Sequence, residues 1–378
     1  MPRRLPWATA AVVLVVAAVG AIVVATSGSE HTRPVAAAST PSPTASAAPS
    51  PTPVAPRPSP IPRRPAPRAV HRALLFPLPA GPVQPQPCPP PPLPPGKPLP
   101  PLPAPATAES RLPQPAPLQA RRVDLSPVRG KGMWLTTWPT SHLDVGAIVA
   151  RSRAAGVHQL WVRTGGTKQG WYGGRILPAL LPAAHAAGIA VIAWDFPTLS
   201  DPAADAARAR ASLQGQFGGQ HIDGFSTDIE TTSERVYDTS RRVRLYLSLV
   251  RRYAGSRPVV ATVPRPTAHR LATYPYAAQA PYVDVFAPMV YWSCSEPGAM
   301  VTSSLAPLRK YHRALSVVGQ SYDMGPEGGR HGLPSAHEIW RFLDVSKRAG
   351  AVGASLYTYD QTHAAQWRAL SRFPGWAA

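Results

Sequence analysis

From about residue 123 to its end, the chain alternates short apolar runs with longer amphipathic runs. The amphipathic runs carry apolar residues at helical spacing, most clearly in residues 142–156, 204–217, 240–255 and 335–350. The short runs are rich in β-branched and aromatic residues, as buried strands are. There are eight of them, at residues 132–138, 158–165, 189–196, 222–230, 258–264, 283–292, 315–323 and 353–360. Apolar strands that alternate with helices predict a parallel sheet covered by helices.

Eight strand–helix repeats in about 250 residues are typical of a (β/α)8 barrel, also called a TIM barrel. An open, doubly wound sheet is the alternative fold. No G-x-G-x-x-G sequence follows the first strand, which argues against a dinucleotide-binding sheet. We therefore predict a TIM-barrel domain over residues 123–378.

The N-terminal residues 1–28 predict a membrane anchor. Residues 8–26 carry no charge and are long enough to cross a bilayer as a helix. Arg3 and Arg4 precede them, which favours an N-terminus inside and a C-terminal domain outside the cytoplasm. A cleaved signal peptide is the alternative, and the protein would then be secreted. The predicted location is the cell membrane, with a single span.

Residues 29–122 predict a disordered, Pro-rich linker that contains Arg residues. Most of the 50 prolines of the chain lie between Pro34 and Pro117. Proline removes amide donors and interrupts helices and strands, so such a segment favours extended polyproline II. After an anchor, a semi-rigid spacer of this kind holds a domain away from the membrane.

Charge and cysteine content narrow the classes of partner. The formal net charge is +20, which can indicate nucleic acid or an anionic polymer of the cell envelope. No basic run with interleaved aromatic residues stands out in the barrel, so we expect envelope polymers and no nucleic acid. The two cysteines, Cys88 and Cys294, match no metal-site spacing. A disulfide between them, free thiols or an intermolecular Cys88 pair all remain open.

Polar and aromatic residues lie at the ends of several predicted strands, where a TIM barrel keeps its chemistry. An aspartate at a strand end can also be only the N-cap of the next helix, and this alternative applies to Asp195 and Asp360. The candidates for the site are Trp138, Arg163, Asp195, Asp228, Glu230, Tyr291, Trp292, Tyr322, Asp323, Tyr359 and Asp360. Asp223, Ser226 and Met289 complete the set of predicted substrate contacts. Trp134 and Trp161 are better explained as core residues.

The fourth strand ends in the sequence DGFSTDIE, residues 223–230. Because side chains alternate along a strand, Ser226, Asp228 and Glu230 share one face and Asp223 lies on the other. Two neighbouring carboxyl groups in a partly dry barrel mouth separate in pKa, so that one stays protonated near neutrality. This is the property that a general acid needs.

The same sequence resembles the fourth-strand signature of glycoside hydrolase family 18, D-G-x-D-x-D-x-E. The chain matches it at Asp223, Gly224, Asp228 and Glu230, and departs from it at Ser226. On the sixth strand, MVYW resembles the M-x-Y-D of that family, with Met289 and Tyr291 matching and Trp292 in place of the acid. The chain is therefore similar to chitinase-like TIM barrels over its barrel domain.

The resemblance implies hydrolysis of an N-acetylated glycan, either peptidoglycan or a chitin-like polymer. Glu230 would protonate the leaving oxygen, and the acetamide of the substrate would attack the anomeric carbon, so no enzyme nucleophile, metal or cofactor is needed. Asp228 would orient the acetamide and Tyr291 would hydrogen-bond its carbonyl. Asp223 would brace the strand. Ser226 cannot supply the charge of the acid that it replaces, and Trp292 would alter the acetamide pocket.

Two further hypotheses remain open. In one, Asp323 on the seventh strand is an enzymic nucleophile beside Glu230, for which a carboxyl separation of about 5–5.5 Å would be expected. In the other, the barrel binds a glycan and has lost the chemistry, because Ser226 is not acidic.

Overall fold

The computed structural model describes residues 82–85, 101–118, 120–136 and 144–376. The predicted span at residues 8–26 lies outside them, as do Cys88, Trp138 and the larger part of the predicted linker. Within the described residues, no helix combines the length and apolarity that crossing a bilayer requires.

In this part of the chain, nine strands form one sheet, and eight of them are parallel and close into a barrel. Strand β1 pairs with β2 on one side and with β9 on the other, which closes the ring, and β3 adds to β2 as an antiparallel hairpin. The strands are β1 (Gly130–Leu135), β2 (Gln159–Gly166), β3 (Gly170–Trp171), β4 (Ala190–Phe196), β5 (Gly224–Asp228), β6 (Val259–Val263), β7 (Val285–Val290), β8 (Ala314–Gln320) and β9 (Gly353–Tyr357). The predicted (β/α)8 barrel is confirmed, and the open sheet is excluded.

The helices of the described residues follow the strands in the alternation that the sequence predicts. They are α1 (Val145–Ala154), α2 (Leu177–Ala186), α3 (Pro202–Gln214), α4 (Ser240–Ala254), α5 (Ala268–Thr273), α6 (Tyr276–Gln279), α7 (Pro297–Leu305), α8 (Ala336–Arg348) and α9 (Ala364–Arg372). Side-chain caps begin several of them: Thr239 accepts a hydrogen bond from the Arg242 amide, and Ser335 forms a capping box with Glu338. Such caps supply acceptors for the free backbone amides in the first turn of these helices.

The interior of the barrel is filled by tryptophan. Trp134 and Trp161 stack with their ring centroids 5.0 Å apart and their planes 8° from parallel. Trp194 meets Trp134 edge-on at 5.1 Å. All three are almost fully buried, so the prediction that Trp134 and Trp161 belong to the core is confirmed. A packed interior leaves only the ends of the barrel for a ligand.

Residues 101–118, part of the predicted linker, lie against the barrel beside α4. Proline-rich backbone offers carbonyl acceptors and few amide donors, and barrel side chains supply those donors. The buried Arg242 donates to the carbonyl of Thr107, Tyr237 donates to that of Pro103 at 2.7 Å, and Arg242 pairs with Glu109 at 2.8 Å. The packed unit therefore begins before residue 123, the boundary predicted from composition. We call residues 101–118 the strap.

Candidate functional site

Asp228 ends strand β5 and points into the mouth of the barrel. Its inward direction follows from the register, which places Asp228 beside Thr262 of β6. Asp228 is buried, and its Oδ1 atom has no hydrogen-bond partner among the described residues. Burial raises its pKa to about 7, with added contributions from the charges of Asp195 and Glu234 and an opposing one from Arg163. A buried carboxyl oxygen without a partner is costly in a fold and is common at binding sites.

Glu230 lies two residues further along, on the same face. It is half-buried, and its pKa is held well above the usual range, first by burial and then by the negative charges of Asp228 and Glu234. The guanidinium of Arg270 opposes this effect. Glu230 therefore holds its proton to higher pH than a free glutamate side chain does, and the negative charge of Asp228 strengthens this effect.

Ser226 lies below Asp228 on the same face, where the resemblance has an acid. It is fully buried, and its hydroxyl is 2.8 Å from the hydroxyl of Thr262 on the next strand. This pair of hydroxyl groups is neutral and satisfied. Asp228 consequently has no charged group beneath it on its own strand.

Three tyrosine rings line the side of the mouth opposite β5. Tyr291 and Tyr322 meet edge-on with centroids 5.6 Å apart, and Tyr357 lies 6.1 Å from Tyr291 and 5.9 Å from Tyr322. Burial raises the pKa of Tyr291 far above its ordinary value, and the charges of Asp228 and Glu230 raise it further. Tyr291 therefore faces the two carboxyl groups as a neutral hydroxyl donor. Met289 packs beneath the rings in the inner cluster of the barrel.

Arg163 brings a positive charge to the mouth from the end of β2. Its guanidinium lies over the ring of Trp194, 5.0 Å from the centroid. Its charge also lowers the pKa of Asp228, which places the two groups near each other. Arg163 is half-buried, and the sequence prediction of a site residue here agrees with its position.

The loop after β8 carries two predicted site residues, Tyr322 and Asp323, and a third acidic residue, Glu327, that was not predicted. Tyr322 donates to Glu327 at 3.0 Å, and burial raises the pKa of Glu327. Asp323 accepts a hydrogen bond of 2.7 Å from the amide of Gly325, which lowers its pKa. Asp323 thus helps to shape the loop, whereas Glu327 acts on the pKa of Glu230.

Asp360 is exposed beyond the end of β9. It accepts a hydrogen bond of 3.0 Å from Thr358, and its charge raises the pKa of Tyr357. Asp360 therefore lies near the rim of the mouth, and its side chain bonds to a residue two positions earlier in the sequence.

Asp223 and Asp195 lie away from the mouth, contrary to their prediction as substrate contacts. Asp223 precedes β5 at the opposite end of the barrel, where it accepts hydrogen bonds from the Val191 amide at 2.7 Å and pairs with His185 at 2.8 Å. Asp195 points outward from β4 and pairs with Arg208 of α3 at 3.0 Å. Both residues brace strands against neighbouring elements, as the sequence suggested for Asp223.

Trp292 and Tyr359 also point outward. Trp292 is buried against Phe342 of α8, and its indole donates to Glu338 at 3.1 Å. The ring of Tyr359 packs on Trp367 of α9. Trp292 therefore fills the layer between strand and helix and does not shape an acetamide pocket, and Tyr357 takes the position in the mouth that was assigned to Tyr359.

Several residues at the mouth were missed in the sequence. Glu234 and Glu327 lie in loops, and strand ends alone do not point to them. Arg270 is on a short helix after β6, and Thr262 reads as an ordinary strand residue. The charges of Glu234, Glu327 and Arg270 all shift the pKa of Glu230. The fold brings these residues close to Glu230, and nothing in their local sequence indicates this.

Among the described residues, no group of three or more His, Cys, Asp or Glu side chains could hold a metal ion. Cys294 is disulfide-bonded. Cys88, the other cysteine in the sequence, lies outside the described residues.

No protein-family model matches this sequence, and no curated protein matches it either. Solved structures similar to it include a chitinase from Chromobacterium violaceum, with 13% identity, a TM-score of 0.48, and coverage of 65% of this chain and 98% of that one. The spore cortex-lytic enzyme SleL from Bacillus cereus shows 13% identity and a TM-score of 0.49, with 68% of this chain and 76% of that one covered.

The chitinase-like agglutinin from Robinia pseudoacacia shows 11% identity and a TM-score of 0.47, with 64% of this chain and 98% of that one covered. At these identities and TM-scores, the chemistry of the barrel has to be argued from its own residues.

Proposed function

We propose that this protein is a glycoside hydrolase that cleaves an N-acetylated glycan by the substrate-assisted, retaining route. The observation that carries the proposal is the pair Asp228 and Glu230. Asp228 ends β5 and Glu230 follows it by two residues, both have raised pKa values, and Asp228 presents an oxygen without a partner among the described residues. A protonated acid beside a group that accepts a hydrogen bond is what this route requires.

In the first step, Glu230 donates its proton to the glycosidic oxygen as the bond from that oxygen to the anomeric carbon breaks. The carbonyl oxygen of the substrate acetamide forms a new bond to the same carbon, which gives a cyclic oxazolinium ion. Asp228 accepts a hydrogen bond from the acetamide N–H and offsets the positive charge of this ion. Tyr291 donates its hydroxyl proton in a hydrogen bond to the acetamide oxygen and so fixes its direction.

In the second step, water attacks the anomeric carbon from the side that the leaving group has vacated. Glu230, now a carboxylate, takes a proton from this water, and the oxazolinium opens to restore the acetamide. The configuration at the anomeric carbon is retained. Tyr291, Tyr322 and Tyr357 supply apolar ring surface with polar tips, which suits a sugar ring in a wet cleft.

The Ser226–Thr262 hydrogen bond favours a second candidate, a barrel that binds a glycan without turnover. No carboxylate lies beneath Asp228 to modulate its protonation during the reaction. The two candidates differ in one measurable property, the release of reducing ends.

We further propose that the protein acts in the cell envelope. Residues 8–26 would anchor it to the membrane, or direct its secretion if they are cleaved. The net charge of +20 supports electrostatic contact with anionic envelope polymers. Cell fractionation with an antibody to the barrel tests this location.

The test of the function uses the full-length protein with N-acetylglucosamine oligomers and with peptidoglycan. Wild type is compared with Glu230→Gln, and Asp344→Asn serves as the control because Asp344 pairs with Arg348 on an exposed helix face. Release of reducing ends by wild type and the control alone supports hydrolysis. Binding of the oligomers by every variant, with no release by any, supports the second candidate.

A further inference from the structure

Two arginines lie on the loop and short helix that follow β6, at the same end of the barrel as the mouth. Arg265 and Arg270 are both half-buried. Nη1 of Arg270 reaches the backbone carbonyl of Arg265 at 3.5 Å, and Nη1 of Arg265 lies 2.9 Å from the sulfur of Met300. The first contact joins the side chain of Arg270 to the backbone of Arg265, and the charge of Arg270 acts on the Arg265 guanidinium, so the two residues are neighbours.

Neither arginine forms an ion pair among the described residues. Two other arginines with little exposure are matched with carboxylates: Arg208 with Asp195 and Asp205, and Arg251 with Asp284. Burial lowers the pKa of Arg265, and the charge of Arg270 lowers it further. Two adjacent positive charges without an anion are unfavourable in a fold unless a ligand supplies the anion.

The arginine pair borders the proposed general acid. Strand β6 is the direct neighbour of β5 in the barrel, and the charge of Arg270 acts on Glu230. Glu230 is protonated in the form that begins the reaction, so it does not neutralise the pair. The two guanidinium groups therefore bring positive charge to the side of the mouth next to β6, where Glu234 and Glu327 also act on Glu230.

We infer that Arg265 and Arg270 form a subsite for a carboxylate carried by the glycan. This inference rests on the proposed function and narrows its substrate class, from N-acetylated glycans in general to those with acidic sugars. The guanidinium group suits this role because it binds a carboxylate through two parallel hydrogen bonds. The lactyl ether of N-acetylmuramic acid in peptidoglycan has the required chemistry, and the chitin polymer does not.

The test compares three oligosaccharides of equal length with the full-length protein. The first alternates N-acetylglucosamine with N-acetylmuramic acid, the second is the methyl ester of the first, and the third contains N-acetylglucosamine alone. The variants are the double substitutions Arg265→Gln with Arg270→Gln, and Arg265→Lys with Arg270→Lys. The control is Arg309→Gln with Arg348→Gln, which removes two arginines from a groove between α7 and α8 outside the barrel.

Loss of the two charge-assisted hydrogen bonds predicts that the glutamine variant loses about tenfold or more in kcat/KM on the acidic oligomer, chiefly through KM. Its activity on the ester and on the neutral oligomer should fall less than on the acidic oligomer and by the same factor on both, because the loss of Arg270 also acts on Glu230. The lysine variant should keep most of the preference for the acidic oligomer, and the control should keep all of it. An equal loss on all three oligomers would overturn the inference, because the arginines would then act through Glu230 or through the fold.

Binding separates failure of the subsite from failure of the proposed reaction. The dissociation constants of the three oligomers are measured with Glu230→Gln, which needs no turnover, alone and combined with the arginine substitutions. Arginine-dependent preference for the acidic oligomer without hydrolysis by wild type would retain the subsite and reject the reaction. Hydrolysis without any preference for the acidic oligomer over its ester would retain the reaction and reject the subsite.

Discussion

The two ends of the segment 223–230 carry carboxylates with opposite environments. At the start, Asp223 accepts a hydrogen bond from the Val191 amide and pairs with His185. At the far end, Asp228 is more deeply buried and leaves one oxygen without a partner. The carboxylate of Asp223 finds its partners within the fold, whereas Asp228 keeps an oxygen that has no partner among the described residues. Within one strand, the unsatisfied group marks the functional end.

The difference also shows in the neighbours of each end. Asp223 meets a histidine and a backbone amide, which are ordinary partners for a bracing carboxylate. Asp228 and Glu230 meet further acids, a tyrosine wall and Arg163. Carboxyl groups gathered so closely that their pKa values rise cost the fold stability, which supports the proposed active site at this end of the barrel.

The largest expected effect is on catalysis at the mouth end. Glu230→Gln removes the proton donor while keeping the shape of the side chain, and we expect kcat to fall about 10²–10⁴-fold. The rate of reducing-end release from N-acetylglucosamine oligomers measures this. A substrate with a leaving group that needs no protonation should lose far less. Comparable loss on both substrates would contradict the role of Glu230 as the acid.

Asp228→Asn should lower kcat about 10²-fold or more, because the positive intermediate loses its carboxylate. The same substitution should make the folded protein more stable at pH values above about 7. The folded-state pKa of Asp228 is about 7, above its ordinary value of 3.8, so the folded protein binds the proton more tightly. Wild type therefore loses stability as the pH rises from about 4 through 7, and the asparagine variant lacks this loss.

Urea denaturation of wild type and Asp228→Asn at pH 4 and at pH 8 checks the expected effect on stability. The variant should be the more stable protein at pH 8, and the difference should shrink toward pH 4. A variant that is less stable at both values would show that Asp228 is a bracing residue like Asp223.

Asp223→Asn should affect stability and spare activity. The neutral amide weakens the hydrogen bond from Val191 and the pairing with His185, and we expect a loss of about 1–3 kcal/mol in the free energy of unfolding. Denaturant midpoints and kcat on the same preparation measure both properties. A fall in kcat as large as that of Asp228→Asn would remove the contrast between the two ends.

Asp323→Asn should have the smallest effect. Its carboxylate accepts the Gly325 amide in the loop after β8, and we expect kcat to change by less than about threefold. Trapping of a covalent glycosyl–enzyme with a fluorinated substrate provides a second measurement. Labelling at Asp323, together with loss of activity, would replace the substrate-assisted route with an enzymic nucleophile.

Much of the fold could be predicted from the sequence. All eight barrel strands were located, because buried parallel strands are short, apolar and separated by helices with clear amphipathic stripes. The strap was missed, because its partners Arg242 and Tyr237 lie more than a hundred residues later and leave no trace in its proline-rich composition. The composition of a segment predicts its conformation in isolation, and it gives no information on which other parts of the chain pack against that segment.

The site was predicted in part. Alternation placed Asp228 and Glu230 on one face correctly, and the same rule puts Trp194 and Asp195, or Tyr291 and Trp292, on opposite faces. Which face is inside depends on the stagger of neighbouring strands, including the irregularity between Arg163 and Gly165. That information is tertiary, so Asp195 and Trp292 were assigned to the mouth although they face the helices.

The strap joins the barrel at the rim of the mouth. Pro103 accepts a hydrogen bond from Tyr237, and Thr107 bonds to Ser200 before α3 and to Arg242 at the start of α4. From there the strap descends along α4, where Ala116 bonds to Ser248. Force applied to the N-terminal end of the strap would therefore act on the mouth rim, where the hydrogen bonds and the ion pair of Arg242 oppose it.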